Sequence, residues 1–143
     1  MTAAAARVVV YLRVSTDEQA ESGLGMEAQL AACRAWCERN GTVPGGVHLD
    51  EGVSGSTAPT SRLGLTDALA ELAEGDVLLV AKRDRLTRDT FYACILERTV
   101  GAMGARIVSA AGEGTDDDSP TSILMRRILD AFAEYERLLI GAR

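Results

Sequence analysis

The chain has 143 residues and carries 15 lysines and arginines against 21 aspartates and glutamates, a formal charge of −6 at pH 7. Its length suits one domain that buries about two-thirds of its unfolded surface, and an apolar content of 47% excludes a disordered or collagen-like chain. A net acidic balance argues against broad, non-specific binding of nucleic acid, which draws on a wide basic surface.

The first 14 residues are apolar, but no basic stretch precedes the apolar run and Arg7 and Arg13 interrupt it, so they do not read as a secretory signal. No apolar run approaches the ~20 residues of a membrane span. Residues 6–14 are rich in β-branched side chains and predict a buried strand. Residues 26–40 predict a helix with Met26, Leu30, Cys33 and Cys37 on one stripe and Gly41 just past its end. A short second strand at 47–50 leads into a loop at 51–62, marked by glycines, serines, threonines and Pro59. Residues 63–74 predict a helix stopped at Gly75, residues 76–81 an apolar strand, and residues 87–103 a further helix. Gly104 introduces a fourth strand at 105–110. With 22 alanines and 4% aromatics, the alternation predicts an α/β domain: a mostly parallel central sheet of four to five strands with helices on both faces.

The last segment has a different pattern. Ser119 followed by Pro120 is a helix start. Met125, Ile128, Phe132, Tyr135 and Leu139 then recur at spacings of 3, 4, 3 and 4, a heptad stripe still running at Arg143. Half of it could pack on the sheet, but the regular repeat predicts a long interface helix that pairs with another subunit. Just before it, Glu113, Asp116, Asp117 and Asp118 read as a solvated acidic loop. Cys33, Cys37 and Cys94 cannot pair completely, and with the lone His48 in another segment they do not supply the four ligands of a closed zinc site. Half-buried thiols in a reducing, cytoplasmic compartment are the expectation.

Ligands of open parallel sheets gather at the carboxyl ends of the strands. The first strand delivers Tyr11, Arg13 and Ser15 to one face by simple alternation. After the third come Lys82, Arg83, Asp84, Arg85 and Arg88, a local charge of +3 within an acidic chain. A serine flanked by arginines suggests nucleophilic attack on a phosphate, because guanidinium presents a planar fork to two phosphate oxygens and keeps its charge. Rival serine chemistries fail on composition. A hydrolase needs a histidine base and a nucleophile elbow, and a P-loop needs glycines with a lysine after the first strand. Surface arginines, with Ser15 capping the next segment, are the bland alternative for any one of these residues.

The run Tyr11-Leu12-Arg13-Val14-Ser15-Thr16, with Gln19 and Gly23-Leu24-Gly25-Met26-Glu27-Ala28-Gln29 after it, resembles the N-terminal signature of the serine recombinases: resolvases, invertases and large phage-type integrases. The resemblance continues through Asp50-Glu51-Gly52-Val53-Ser54-Gly55, Arg62 before Leu63-Gly64-Leu65, Asp84-Arg85-Leu86-Thr87-Arg88-Asp89 and Ala133-Glu134-Tyr135-Glu136-Arg137. It implies that Ser15 attacks a DNA phosphodiester and becomes a 5′-phosphoserine. Arg13, Arg85 and Arg88 would grip the phosphate, with Arg62 approaching from the loop. Asp84 would orient the arginines or help protonate the departing 3′ oxygen. Gln19, Gln29 and Arg137 take supporting positions, and Glu136 joins the heptad stripe at a subunit interface. Tyr11 reads as packing rather than chemistry.

The resemblance implies no ATP, catalytic metal or other cofactor. It implies duplex DNA at recombination sites as partner, with self-association to a dimer and a synaptic tetramer in the full-length protein, and no membrane. Residues 1–118 would then be the catalytic domain and residues 119–143 the truncated start of the oligomerisation helix, the sequence-reading DNA-binding domains being absent. The spacing through residues 23–29, longer than in compact resolvases, leans toward the large integrases. Two rivals remain: a catalytically silent oligomerisation or regulatory module of the same fold, and a phosphate-binding enzyme for a small anionic substrate. The intact Ser15, Arg13, Arg85 and Arg88 speak against the first. The lack of a nucleotide loop or metal cluster speaks against the second.

Overall fold

A computed structural model describes residues 6–15, 25–112 and 120–141. Among them, β1 (Val8–Val14), β2 (Pro44–Glu51), β3 (Val77–Val80) and β4 (Arg106–Ser109) form one all-parallel sheet in the order β2-β1-β3-β4. The central strands β1 and β3 are buried throughout, which is why they read as apolar runs, broken in β1 only by Arg13. The edge strand β2 alternates and is mostly open to solvent.

Among the described residues, α1 (Met26–Arg39), α2 (Leu63–Glu71), the single turn α3 (Arg83–Leu86) and α4 (Thr90–Ala102) connect and cover the sheet, and α5 (Pro120–Gly141) follows them. Side chains of β1 divide strictly between the faces. Val8, Val10 and Leu12 pack with Cys33 and Cys37 of α1, while Val9 and Tyr11 join Leu65 and Ala68 of α2 and Leu96 and Val100 of α4. The expected α/β architecture with helices on both faces is therefore observed, with four strands among the described residues. Among the described residues no helix is long and apolar enough to cross a membrane.

Three boundaries differ from the sequence pattern, each for a local reason. The helix α2 ends at Glu71, not 74, because Asp76 turns the chain back: its carboxylate accepts from the Ala73 N–H at 2.8 Å and from the Arg7 guanidinium at 3.2 Å. Gly75 completes that turn at φ +88°. The strand β2 begins at Pro44, through two glycines, and at Gly46 a Cβ would lie 2.5 Å from the Glu71 carboxylate that pairs with His48. The helix α4 starts at Thr90 instead of Thr87 because Asp89 caps it, accepting from the Tyr92 N–H at 3.1 Å. Arg88 thus lies at a bend between the extended residues Thr87 and Asp89 that join two helices.

Candidate active site

The carboxyl ends of β1 and β3 meet the loop that follows β2. Ser15 directly follows β1 and is half-buried. Arg13, two residues earlier, is fully buried, and its guanidinium is held by main-chain oxygens: Nε donates to Arg85 at 3.0 Å, Nη1 to Val53 at 2.9 Å and Nη2 to Asp84 at 2.8 Å. Gln29 of α1 brackets the main chain of Arg13, accepting from its N–H at 3.3 Å and donating to its carbonyl at 2.9 Å. The supporting position expected for Gln29 is a clamp on the strand end that leads to Ser15.

Arg62 is equally buried. It donates to the carbonyls of Gly55 at 3.1 Å and Thr57 at 2.7 Å, and to that of Leu86. It ties residues 55–57 to the end of α3. Asp50, at the end of β2, accepts from the Tyr11 hydroxyl at 2.8 Å and from the N–H groups of Gly64 and Leu65 at 2.8 and 3.1 Å, so a carboxylate sits at the N-terminus of α2. The approach is close: a Cβ at Gly64 would fall 2.2 Å from the Leu49 carbonyl. Tyr11 is thus packing and anchor together. Its hydroxyl is raised above the ordinary tyrosine value by burial and by the bond to Asp50.

On the other side of the site, Arg85 is buried and donates from Nε to the half-exposed carboxylate of Asp84 at 3.1 Å. Arg88 is exposed, while its main-chain N–H donates to the Gly55 carbonyl at 2.9 Å. A Cβ at Gly55 would lie 2.9 Å from Nη2 of Arg13 and 2.8 Å from Cγ of Arg88, so both arginines converge on this glycine. The cations feel one another. Burial and then the charge of Arg62 pull the Arg13 guanidinium below the ordinary arginine value, and Arg88 adds to that. Burial and then Arg13 and Arg88 do the same to Arg85. Cations that weaken one another in this way are stabilised by a phosphate placed among them. Beside this cluster, between α1 and the ends of β3 and β4, lies a cavity of about 430 Å³ bordered by Gln29, Lys82, Asp84 and Arg85.

Other expected positions lie elsewhere. Gln19 and the acidic run at 113–118 fall outside the described residues. Arg137 is exposed on α5 and pairs with Glu134 one turn away on the same helix. The heptad stripe on α5 resolves into two neighbouring stripes. Met125 is buried against Cys94 of α4, Phe132 lies beside Phe91 with the Arg98 guanidinium 5.7 Å over its ring, and Glu136 pairs with Arg98. These three contact α4, on which α5 docks, although Glu136 stays exposed and Phe132 half-buried. Tyr135 and Leu139 stay exposed, together with Leu124 and Leu138, and Ile128 is half-buried at the border. The exposed seam therefore runs Leu124, Ile128, Ala131, Tyr135 and Leu138, again with heptad spacing. All three cysteines are buried, the Cys33 thiol pushed up to about 12 by burial and by Cys37, so they are inert packing groups. Among the described residues no group of histidine, cysteine and carboxylate side chains could hold a metal.

The family model of the resolvase N-terminal domain matches residues 8–143. The chain belongs to the resolvase family of serine recombinases. It is 32% identical to serine recombinase PinR of Escherichia coli (strain K12) over 140 residues, covering 96% of this chain and 66% of that protein. It is likewise 32% identical to the transposon Tn2501 resolvase of Escherichia coli over 137 residues, with the same coverage. The chain thus spans about two-thirds of the length of these relatives, 66% in each case. Among solved structures, the N-terminal catalytic domain of TP901-1 integrase superposes with a TM-score of 0.69 at 26% identity, covering 93% of this chain and 98% of that one. The C-terminal catalytic domain of ISC1926 TnpA, an IS607-like serine recombinase, matches 73% of the chain with a TM-score of 0.55 at 29% identity. The recombinase catalytic fold thus occurs at either end of a longer protein.

Two features of this recombinase domain were invisible in the motifs. One is Asp50 as the cap of a helix 14 positions away. The other is Gly55 as the meeting point of Arg13, Arg62 and Arg88. The glycine in Val53-Ser54-Gly55 is a hint of close approach, but the sequence does not say what approaches.

Proposed function

We propose that residues 1–118 form the catalytic domain of a site-specific recombinase that cuts and rejoins duplex DNA, and that residues 119–143 begin its oligomerisation helix. The observation that carries the reading is the convergence of Arg13 and Arg88 at Gly55, beside the strand end that delivers Ser15. In the cleavage step the Ser15 Oγ attacks phosphorus and the 3′ oxygen leaves. One phosphodiester is exchanged for a 5′-phosphoserine ester, the serine proton is given up, and the 3′ oxygen takes one on. Rejoining reverses this with a 3′ hydroxyl of another strand, so bond energy is kept and no nucleotide is consumed. Arginine charge neutralises the non-bridging oxygens, and the loss of one such contact costs on the order of a hundred- to a thousandfold in rate.

The site residues divide by role. Arg88, exposed on a pinned main chain, meets the phosphate directly. Arg85 stands behind it, with Asp84 as the carboxylate that orients its guanidinium. Arg13, Arg62 and Gln29 frame the site, and Gln19 and Arg137 complete it in the assembled protein. The exposed seam of α5 receives a second copy of the chain, giving a dimer and then a synaptic tetramer of the full-length protein in the cytoplasm. Domains beyond this one supply sequence recognition and most of the DNA affinity, which reconciles the reading with a charge of −6. Covalent trapping tests it: full-length protein and its Ser15→Ala variant are placed on target DNA and protein-linked 5′ ends are counted. Adducts from the wild type alone support the reading. Equal adducts from both, or none from either, contradict it.

A further inference from the structure

Thr87 belongs to none of the roles above, yet it is buried and both its hydrogen-bonding directions are used. Its hydroxyl donates to the Gly55 carbonyl at 3.1 Å and accepts from the Asp89 N–H at 3.1 Å. The same carbonyl receives the Arg88 N–H at 2.9 Å and Nη2 of Arg62 at 3.1 Å. Three donors on one carbonyl oxygen fill its two lone pairs and leave it no freedom to turn. Asp89 in turn caps α4 through the Tyr92 N–H. The residues on either side of Arg88 are therefore fixed, one to the loop after β2 and one to a helix, while the exposed Arg88 side chain lies over Gly55.

We infer that Thr87 is a positioning residue that sets Arg88 for phosphate binding by joining it, through the Gly55 carbonyl, to the loop that carries Arg62. The inference rests on the proposed transesterification. A long side chain on a free backbone loses rotational freedom when it binds an anion, whereas one on a pinned backbone is already aimed. The junction also makes the two arginine-bearing segments move together: a loop shift that displaces Gly55 carries the Arg88 main chain with it. Glycine is required at the junction, because a Cβ there would strike Arg13 and Arg88 at once.

The test compares Thr87→Val, which keeps the shape and removes the hydroxyl, with Thr87→Ser, which restores it. Full-length proteins are mixed with a supercoiled plasmid library of random inserts, and the single-turnover rate of 5′ adduct formation is measured alongside DNA affinity. Thr87→Val slows adduct formation by about tenfold at unchanged affinity, and Thr87→Ser recovers to within about twofold. In an Arg88→Ala background, Thr87→Val causes no further loss, because the two act as one unit. Hydrogen exchange of the peptide spanning Arg88 and Asp89 accelerates in Thr87→Val and not in Thr87→Ser. A wild-type rate in Thr87→Val, or a loss that multiplies with that of Arg88→Ala, overturns the inference. If the wild type forms no adduct, the recombinase reading fails instead, and the exchange measurement still decides whether Thr87 pins the segment.

Discussion

Arg62 and Arg88 share one acceptor, the Gly55 carbonyl, and otherwise have opposite surroundings. Arg62 is fully buried, and its guanidinium is distributed over the carbonyls of Gly55, Thr57 and Leu86. Arg88 offers that carbonyl its main-chain N–H and keeps its side chain at the surface. Arg13 resembles the first, with three carbonyls from two different segments on one guanidinium. Arginines gathered at one site can thus differ in what holds them, main-chain carbonyls in the buried members and solvent exposure in Arg88. The buried members of this cluster hold the loop after β2 and the turn α3 in place, and the exposed member, Arg88, is the one proposed to meet substrate.

Mutations should separate the two kinds. The largest effect falls on the frame: Arg62→Met strands several buried carbonyls, and unfolding in urea should show a loss of about 3–5 kcal/mol. A loss under about 1 kcal/mol would erase the distinction between Arg62 and Arg88. Next comes Arg88→Ala, expected to slow covalent adduct formation by about a hundred- to a thousandfold while leaving the urea midpoint in place. A large drop in stability there would make Arg88 another staple.

The helix α5 repeats the contrast on a smaller scale, one stripe docked on α4 and the other open. Replacing Tyr135 and Leu138 together by serine should weaken self-association by about tenfold or more in sedimentation, because each side chain gives up burial worth about 1.5–3 kcal/mol. The stability of the single chain should not change. Were self-association unaltered and the fold weakened, the open stripe would belong to the chain's own core. The smallest effect is one of pH. Asp76 is partly desolvated, which raises its pKa, but the N–H groups of Ala73 and Arg7 and the Arg7 charge outweigh this and hold it below the ordinary 3.8. Its stabilisation is complete above the unfolded-state value and fades as pH falls through the lower folded value. Asp76→Asn should flatten that acid limb of the stability curve, and a limb of unchanged slope would assign it to other carboxylates.

Much of this was legible in residue order. The apolar runs of β1 and β3 mark them as central strands. The alternation of Tyr11 with Val10 and Leu12 predicts the two faces that the core clusters occupy. Arg13, Arg85 and Arg88 stand out because charge at the ends of apolar strands is uncommon. What was not legible depends on partners distant in the chain. Nothing local says that the Arg13 guanidinium meets residues 53, 84 and 85, or that Arg62 bonds the carbonyls of residues 55, 57 and 86. The heptad repeat of α5 does not divide it into a covered and an open half, because period alone cannot say which part of an apolar surface the chain itself covers. Phe91, Cys94 and Arg98 decide that, and they lie on a different helix. The start of α4 depends likewise on a contact that the pattern does not show: Asp89, inside the expected helix, caps it by accepting from the Tyr92 N–H.

The central claim is that Ser15 becomes covalently joined to DNA. Adducts formed by the full-length protein can be digested with nuclease and protease and read by tandem mass spectrometry. The account predicts a 5′-phosphodeoxynucleotide on the hydroxyl of Ser15 in the wild type, with none on the same peptide in Ser15→Ala. A nucleotide attached at any other residue, or cleavage that leaves no covalent protein–DNA species, would contradict it.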